Sequence, residues 1–199
     1  ILLGRPGGAL QPWRLAGHYR RGYLAGCGKR RRVQHHRQMI VIADNSPLSA
    51  LAEIGQLELL KRLYGRIIIT ESVAREAVHP RAPLALREWI ESCPDWLERV
   101  TDPIDFLPET SALGAGEASS ISLAWSHRSN ALLILDDRAA RKLANAMGLR
   151  ITGVGGIVVA AAQLGLVDFE KIVKDLEQTS FRLSDSIVIE LRQRLRDRK

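Results

Sequence analysis

Five carboxylates in this chain stand where a parallel α/β fold could gather them: Asp44, Glu76, Glu117 and the adjacent pair Asp136 and Asp137. Asp44 follows the apolar run MIVIA, and the pair follows ALLIL. If both runs are buried parallel strands, these acids lie at their carboxyl ends, the edge where open α/β sheets bind ligands. Glu76 falls on a helical stretch after a third run, RIIIT, and Glu117 lies near the start of GEASSISLAW. Carboxylates crowded at one edge repel each other unless a cation neutralises them. An all-oxygen donor set without Cys or His favours a hard ion, Mg²⁺ or Mn²⁺. The chemistry such a site supports is hydrolysis of a phosphodiester by water.

Each acid also has an ordinary structural role open to it. Asp44 can serve as a polar helix cap, although Asn45 or Ser46 can cap a helix with Pro47 in its first turn. One of Asp136 and Asp137 is expected to cap the helix that begins at Arg138, leaving the other free for chemistry. An isolated glutamate on a helix, as Glu76 and Glu117 would be singly, is most often a solvated charge. Glu71 illustrates the point: its place in the first turn after RIIIT is explained by the helix dipole. The combination, rather than any single acid, points to a site.

The elements that must position these residues can be read from periodicity. Fully apolar runs at 39–43, 66–70, 131–135 and 149–152 suit strands of a parallel sheet covered on both faces. Helix-like stretches intervene at 48–63, with a break expected at Gly55, and at 72–78, 83–92, 116–127, 138–146 and 154–163. Two amphipathic stretches, 169–176 and 185–196, complete the fold. Strands alternating with helices predict a three-layer α/β/α sandwich with a mostly parallel central sheet. Residues 93–115, with three prolines and several acids, read as a surface excursion holding at most a short strand at Trp96 to Val100.

Composition sets the outer bounds. A chain of 199 residues with 46% hydrophobic residues can bury a core in one domain plus an appendage. The net charge of +7 is uneven: residues 1–38 carry nine Lys/Arg and no acid, leaving 20 bases against 22 acids in residues 39–199. The basic character therefore belongs to the N-terminal segment and does not make the domain a basic nucleic-acid platform. That segment, rich in Gly, Arg and Pro, is expected to be a disordered extension. It is either a basic arm for RNA, DNA or an acidic partner, or upstream sequence ahead of a true start at Met39, just before the first strand. Residues 39–199 form the domain. Cys27 and Cys93 share no metal-ligand spacing, which suits a reduced, cytoplasmic protein, and no apolar run reaches the roughly 20 residues of a membrane span.

The order IADNSPLSALAEIG, ITESVAREAV, GAGEASSISLA, LLILDDRAARKLANAMGLRITGVGGIVVAA closely resembles the PIN-domain superfamily, from Ile40 to about Leu195. Within it, the chain is similar to stand-alone PIN-like proteins that include predicted toxin nucleases of toxin–antitoxin pairs. The resemblance implies a parallel sheet between helices and a cluster of acids around Mg²⁺ or Mn²⁺ that cuts single-stranded RNA. Its four acids fall on Asp44, Glu76, Glu117 and Asp136, with Asp137 as a neighbouring substitute. Asp44, Glu117 and Asp136 would hold metal, and Glu76 would act from the outer shell or position the attacking water. Two departures are Asn45, where many relatives have Thr, and Glu117, where many have Asp. Candidates for gripping phosphate are Asn45, Ser46, Arg138, Arg141 and Thr152. Possible partners implied are an RNA substrate, an antitoxin and a second copy of the chain.

Rival classes fare worse. A haloacid-dehalogenase-type phosphatase needs a second Asp two residues after the first, where this chain has Ser46. A receiver domain would want an acid pair near the first strand and a Lys near the last. There is no GxxxxGK[ST], and GVGGI lacks the GxGxxG spacing. The alternative kept open is a non-catalytic PIN-like module that binds RNA or protein over a vestigial acidic site. Loss of one of the acids would favour it, and none is missing.

Overall fold

The structure is a computed structural model that describes residues 39–197. The basic extension expected over residues 1–38, Cys27 included, lies outside the described residues. Five strands form one sheet: β1 (Ile40–Ala43), β2 (Ile67–Thr70), β3 (Leu97–Val100), β4 (Ala131–Ile134) and β5 (Ile151–Thr152). Their order is β3-β2-β1-β4-β5, and every pairing is parallel. The helices are α1 (Asn45–Glu53), α2 (Glu58–Tyr64), α3 (Glu71–Ala77), α4 (Leu84–Glu91), α5 (Ala115–Ser126), α6 (Arg138–Ala146), α7 (Val154–Gln163), α8 (Phe169–Glu177) and α9 (Asp185–Arg196).

The period-2 alternation of a strand divides the sheet's side chains between two cores. Val41, Ala43, Ile67 and Ile69 pack on one face with Leu48 and Leu51 of α1, Leu60 of α2, Leu86 and Ile90 of α4 and Ile157 of α7. Ile42, Leu133 and Leu135 pack on the other with Ile121 and Ala124 of α5 and Ala140 and Ala144 of α6. Phe169 and Ile172 of α8 and Val188 and Leu191 of α9 extend the first core outward. The result is a three-layer α/β/α sandwich around an all-parallel sheet. Among the described residues no helix is long and apolar enough to cross a membrane.

One boundary differs from the sequence expectation and two expected features are found in place, each for a physical reason. The first helix begins at Asn45 rather than Leu48, because the cap is Asp44 itself, whose side chain accepts from the Ser46 N–H. The expected break falls at Gly55, where φ is +66°, a left-handed conformation open to glycine at little cost. Residues 97–100 are a true edge strand, paired to β2 along its length. Their weak signal reflects a strand with one neighbour, whose charged side chains pair at the surface: Glu98 with Arg66 at 3.2 Å and Arg99 with Glu71 at 3.0 Å.

Candidate active site

Strand order reverses at β1, which has β2 on one side and β4 on the other. The crevice outside the carboxyl ends of β1 and β4 is thus the switch point where such sheets bind ligands. Pairing continues to its lip, since the Asp44 N–H donates to Ile134 O at 3.0 Å and the Leu135 N–H to Thr152 O at 2.9 Å. Asp44 and Asp136 are thereby delivered to neighbouring strand ends.

Asp44 is 1% exposed. Its Oδ2 accepts from the Ser46 N–H at 3.4 Å and the Ser46 hydroxyl at 3.3 Å, while its buried Oδ1 has no hydrogen-bond partner. The buried amide oxygen of the next residue, Asn45, is equally unpartnered. Buried oxygens without partners are uncommon because each forfeits its hydration, and two on consecutive residues mark a place built to receive something. Burial, then the negative charge of Glu117 and more weakly of Glu76, pushes the Asp44 carboxyl up to about 7 against the bonds from Asn45 and Ser46.

Glu76 projects from α3 toward the start of α5, where its Oε1 accepts from the Gly116 N–H at 2.8 Å. A Cβ on Gly116 would stand 2.5 Å from Glu76 Oε2, so glycine is what lets the carboxylate reach the helix. Burial and the charge of Glu117 raise the Glu76 carboxyl above its ordinary value, opposed by Gly116 and Arg75. Glu117 lies in the first turn of α5. A buried hydroxyl pair, Thr70 Oγ1 to Ser119 Oγ at 2.7 Å, ties the α3 cap to α5 and helps hold the two glutamates together.

Asp136 receives the Val154 N–H, 3.1 Å to Oδ2 and 3.3 Å to Oδ1, at the start of α7. Burial pushes its carboxyl up to about 6, opposed by Val154 and by the nearby Arg141 guanidinium. Asp137 is exposed and caps α6, accepting from the Ala140 N–H at 2.8 Å. The structure therefore separates the two adjacent acids, one facing the crevice and one serving a helix.

The expected phosphate-binding residues are scattered. Ser46 is bound to Asp44, and Asn45 borders a cleft of about 910 Å³. Arg141 donates to Leu135 O at 2.6 Å and lies beside Asp136, so it steadies the end of β4. Arg138 is exposed on α6, and Thr152 ends β5 with its hydroxyl close to Gly156 of α7. Sequence reasoning missed Asp102, which follows β3 and accepts from the Ser72 N–H at 2.8 Å, the Ser72 hydroxyl at 2.7 Å and Arg75 at 3.1 Å. An acid two residues after a strand was its available signal, masked by the weakness of that strand.

Hard oxygen donors, an unpartnered buried carboxylate oxygen and mutual repulsion among Asp44, Glu76 and Glu117 fit a divalent cation. Among the described residues, no three His, Cys, Asp or Glu side chains are drawn close enough to hold an ion as they stand.

A family model, DUF3368, a PIN domain, matches residues 40–197. Among solved structures, a PilT N-terminus domain protein from the hyperthermophilic archaeon Sulfolobus solfataricus P2 is similar at 15% identity and a TM-score of 0.42, over 73% of this chain and 100% of that one. That likeness is too slight to bear on function. No curated protein matches. With the family match spanning all but one of the described residues, the chain belongs to the PIN-domain family, whose members are generally nucleases that use divalent metal ions.

Proposed function

We propose that this protein is a metal-dependent endoribonuclease that hydrolyses phosphodiester bonds of RNA, acting as the toxin of a toxin–antitoxin pair in the cytoplasm. The observation that carries the reading is the unpartnered, fully buried Oδ1 of Asp44 at the β1/β4 switch point, electrostatically coupled to Glu117 and Glu76. Asp44, Glu117 and Asp136 are the residues that would hold Mg²⁺ or Mn²⁺, with Asp137 the substitute at the end of β4. The bound ion supplies a water of lowered pKa and stabilises charge on the leaving oxygen. Glu76, fixed by Gly116, orients the α5 terminus and with it Glu117. The free Asn45 oxygen accepts a hydrogen bond from the attacking water or from a ribose hydroxyl. Arg138 lies on the exposed start of α6, available to a phosphate.

A non-catalytic binding module is the second reading, favoured by the absence, among the described residues, of three acids already drawn to ligating distance. The antitoxin in the first reading would cover the acidic edge with an Arg or Lys that pairs with the carboxylates. A homodimer is a further proposal. Purified protein incubated with structured and single-stranded RNAs in Mn²⁺ or Mg²⁺, beside Asp44→Asn and Asp136→Asn, separates the readings. Metal-dependent cleavage that both substitutions abolish supports the nuclease. RNA binding without cleavage or metal uptake replaces it with the module.

A further inference from the structure

The cleft that Asn45 borders takes in Glu76 and, at Ala115, the start of the helix that carries Glu117, and its walls differ in chemistry. One wall is α1, presenting Asn45 and Ser49. The opposite wall is α3 and the turn after it, presenting Arg75, His79 and Arg81 beside Glu76. The turn reads HPRAP, and its two prolines limit the backbone. It is closed by three bonds: the His79 N–H to Glu76 O at 3.1 Å, the Ala82 N–H to His79 O at 2.8 Å and the Arg81 N–H to His79 Nδ1 at 3.2 Å. The guanidinium of Arg81 and the imidazole of His79 are therefore carried on a stiff support.

Their charges are differently committed. Arg75 is anchored by Asp102 and Ser72, at 3.1 and 2.7 Å, and keeps its side chain 61% exposed. Arg81 is exposed and makes no side-chain ion pair or hydrogen bond among the described residues. At the far end the cleft is bounded by Ser180, whose N–H and hydroxyl each donate to Glu53 at 3.2 Å. That pairing occupies the one acid on the α1 wall. No Phe, Tyr or Trp lines the cleft, so it offers no platform on which a base could stack.

Resting on the nuclease reading, we propose that this cleft is the path of a single RNA strand to the acids. Arg81 and His79 grip its phosphates, Arg75 is a third contact fixed by Asp102, and Asn45 and Ser49 face its ribose hydroxyls. A cleft of about 910 Å³ lies near the upper end of small-ligand pockets and has room for a short stretch of one strand. Cationic grip without aromatic stacking reads backbone rather than base, so recognition here is tolerant of sequence. The 2′-hydroxyl is the group that lets a polar wall tell RNA from DNA.

The test measures binding of fluorescein-labelled 12-mers of oligo(A), oligo(U), their DNA counterparts and an RNA duplex to the Asp44→Asn chain, over a series of salt concentrations. Arg81→Ala and His79→Ala are made in that background, with Lys174→Ala on α8 as a control outside the cleft. The expected result is weakening of both RNA homopolymers to the same extent by each cleft substitution. Arg81→Ala should also reduce the slope of log K against log salt by about 0.7, as for one phosphate contact on a single strand. Unchanged affinity and slope overturn the proposal. So does tighter binding of the duplex, a loss confined to one base, or equal binding of DNA.

Cleavage by chains with Asp44 intact is read in parallel. A raised KM with little change in kcat in Arg81→Ala supports the path, whereas cleavage with unchanged KM overturns it and leaves the nuclease standing. Cleft-dependent binding by a chain that never cleaves keeps the path and overturns the nuclease.

Discussion

Asp44 shows how burial sets the chemistry of a single residue. Its carboxyl titrates at about 7 rather than 3.8, so between those values the folded chain keeps a proton that the unfolded chain releases. The associated stability is fully present below about pH 4 and is lost as pH rises through 7; Asp136, pushed up to about 6, adds the same sign over a narrower window. Metal-free protein is therefore expected to melt at a lower temperature at pH 8 than at pH 5.5. Asp44→Asn retains a good capping residue and should flatten this dependence, raising stability at pH 8 by up to on the order of 4 kcal/mol. Thermal melts at the two pH values check this, and equal melting temperatures for the unsubstituted protein would show that the carboxyl is not strained. Mn²⁺ at pH 8 should raise the melting temperature of the unsubstituted chain but not of Asp44→Asn, by mass action on the folded state. At this scale the sequence was only partly legible. Asp136 and Asp137 are equivalent as letters, and the first N–H groups of α6 and α7 decide which one caps and which one faces the crevice.

Among the elements, α3 and α5 form the unit that brings two acids together. Gly116→Ala tests it, because the added methyl meets the far end of a flexible side chain and can displace the Glu76 carboxylate without disturbing the core. Far-UV circular dichroism and melting temperature should change little, while kcat falls on the order of 10²-fold, as for a displacement of about 1 Å in a catalytic constellation. A large loss of stability with intact activity per folded molecule would assign the contact to folding alone. Asp102→Ala should cost about 1 kcal/mol in urea denaturation, because it removes the acceptor from the Ser72 N–H in the first turn of α3. The strands around Ile42, Ile69 and Leu133 were legible because burial on both faces leaves no polar position in the run. The edge strand at Leu97 and the cationic turn at His79 were not, since one is half solvated and the other acquires meaning only opposite α1.

For the molecule as a whole, α8 and α9 complete a sandwich whose sheet needs cover on both faces. Leu191 of α9 packs against Gly155 of α7, where a Cβ would meet its side chain at 2.7 Å. Leu191→Ala should cost about 2–5 kcal/mol by leaving a cavity. The Arg192–Glu170 pair one residue on is short, at 2.7 Å, but exposed. Arg192→Ala should cost far less than Leu191→Ala, because solvent screens an exposed pair. Chemical denaturation of the two variants makes the comparison, and similar losses would mean that α9 is held by charge rather than packing. The layered architecture was legible because alternating apolar runs and helical stretches admit few arrangements.

The register of the sheet also sets a timetable. Asp44 ends β1, but the strand that flanks it on the active side begins only at Ala131, and the N–H that anchors Asp136 belongs to Val154. At a synthesis rate of roughly 5–20 residues per second, the growing chain carries its first acid for on the order of ten seconds before its last can join. A long-range parallel pairing is slow to form even then. For a nuclease of the kind proposed, a nascent copy therefore cannot cut until the segment through Val154 has been made and paired, so its activity is delayed by chain connectivity.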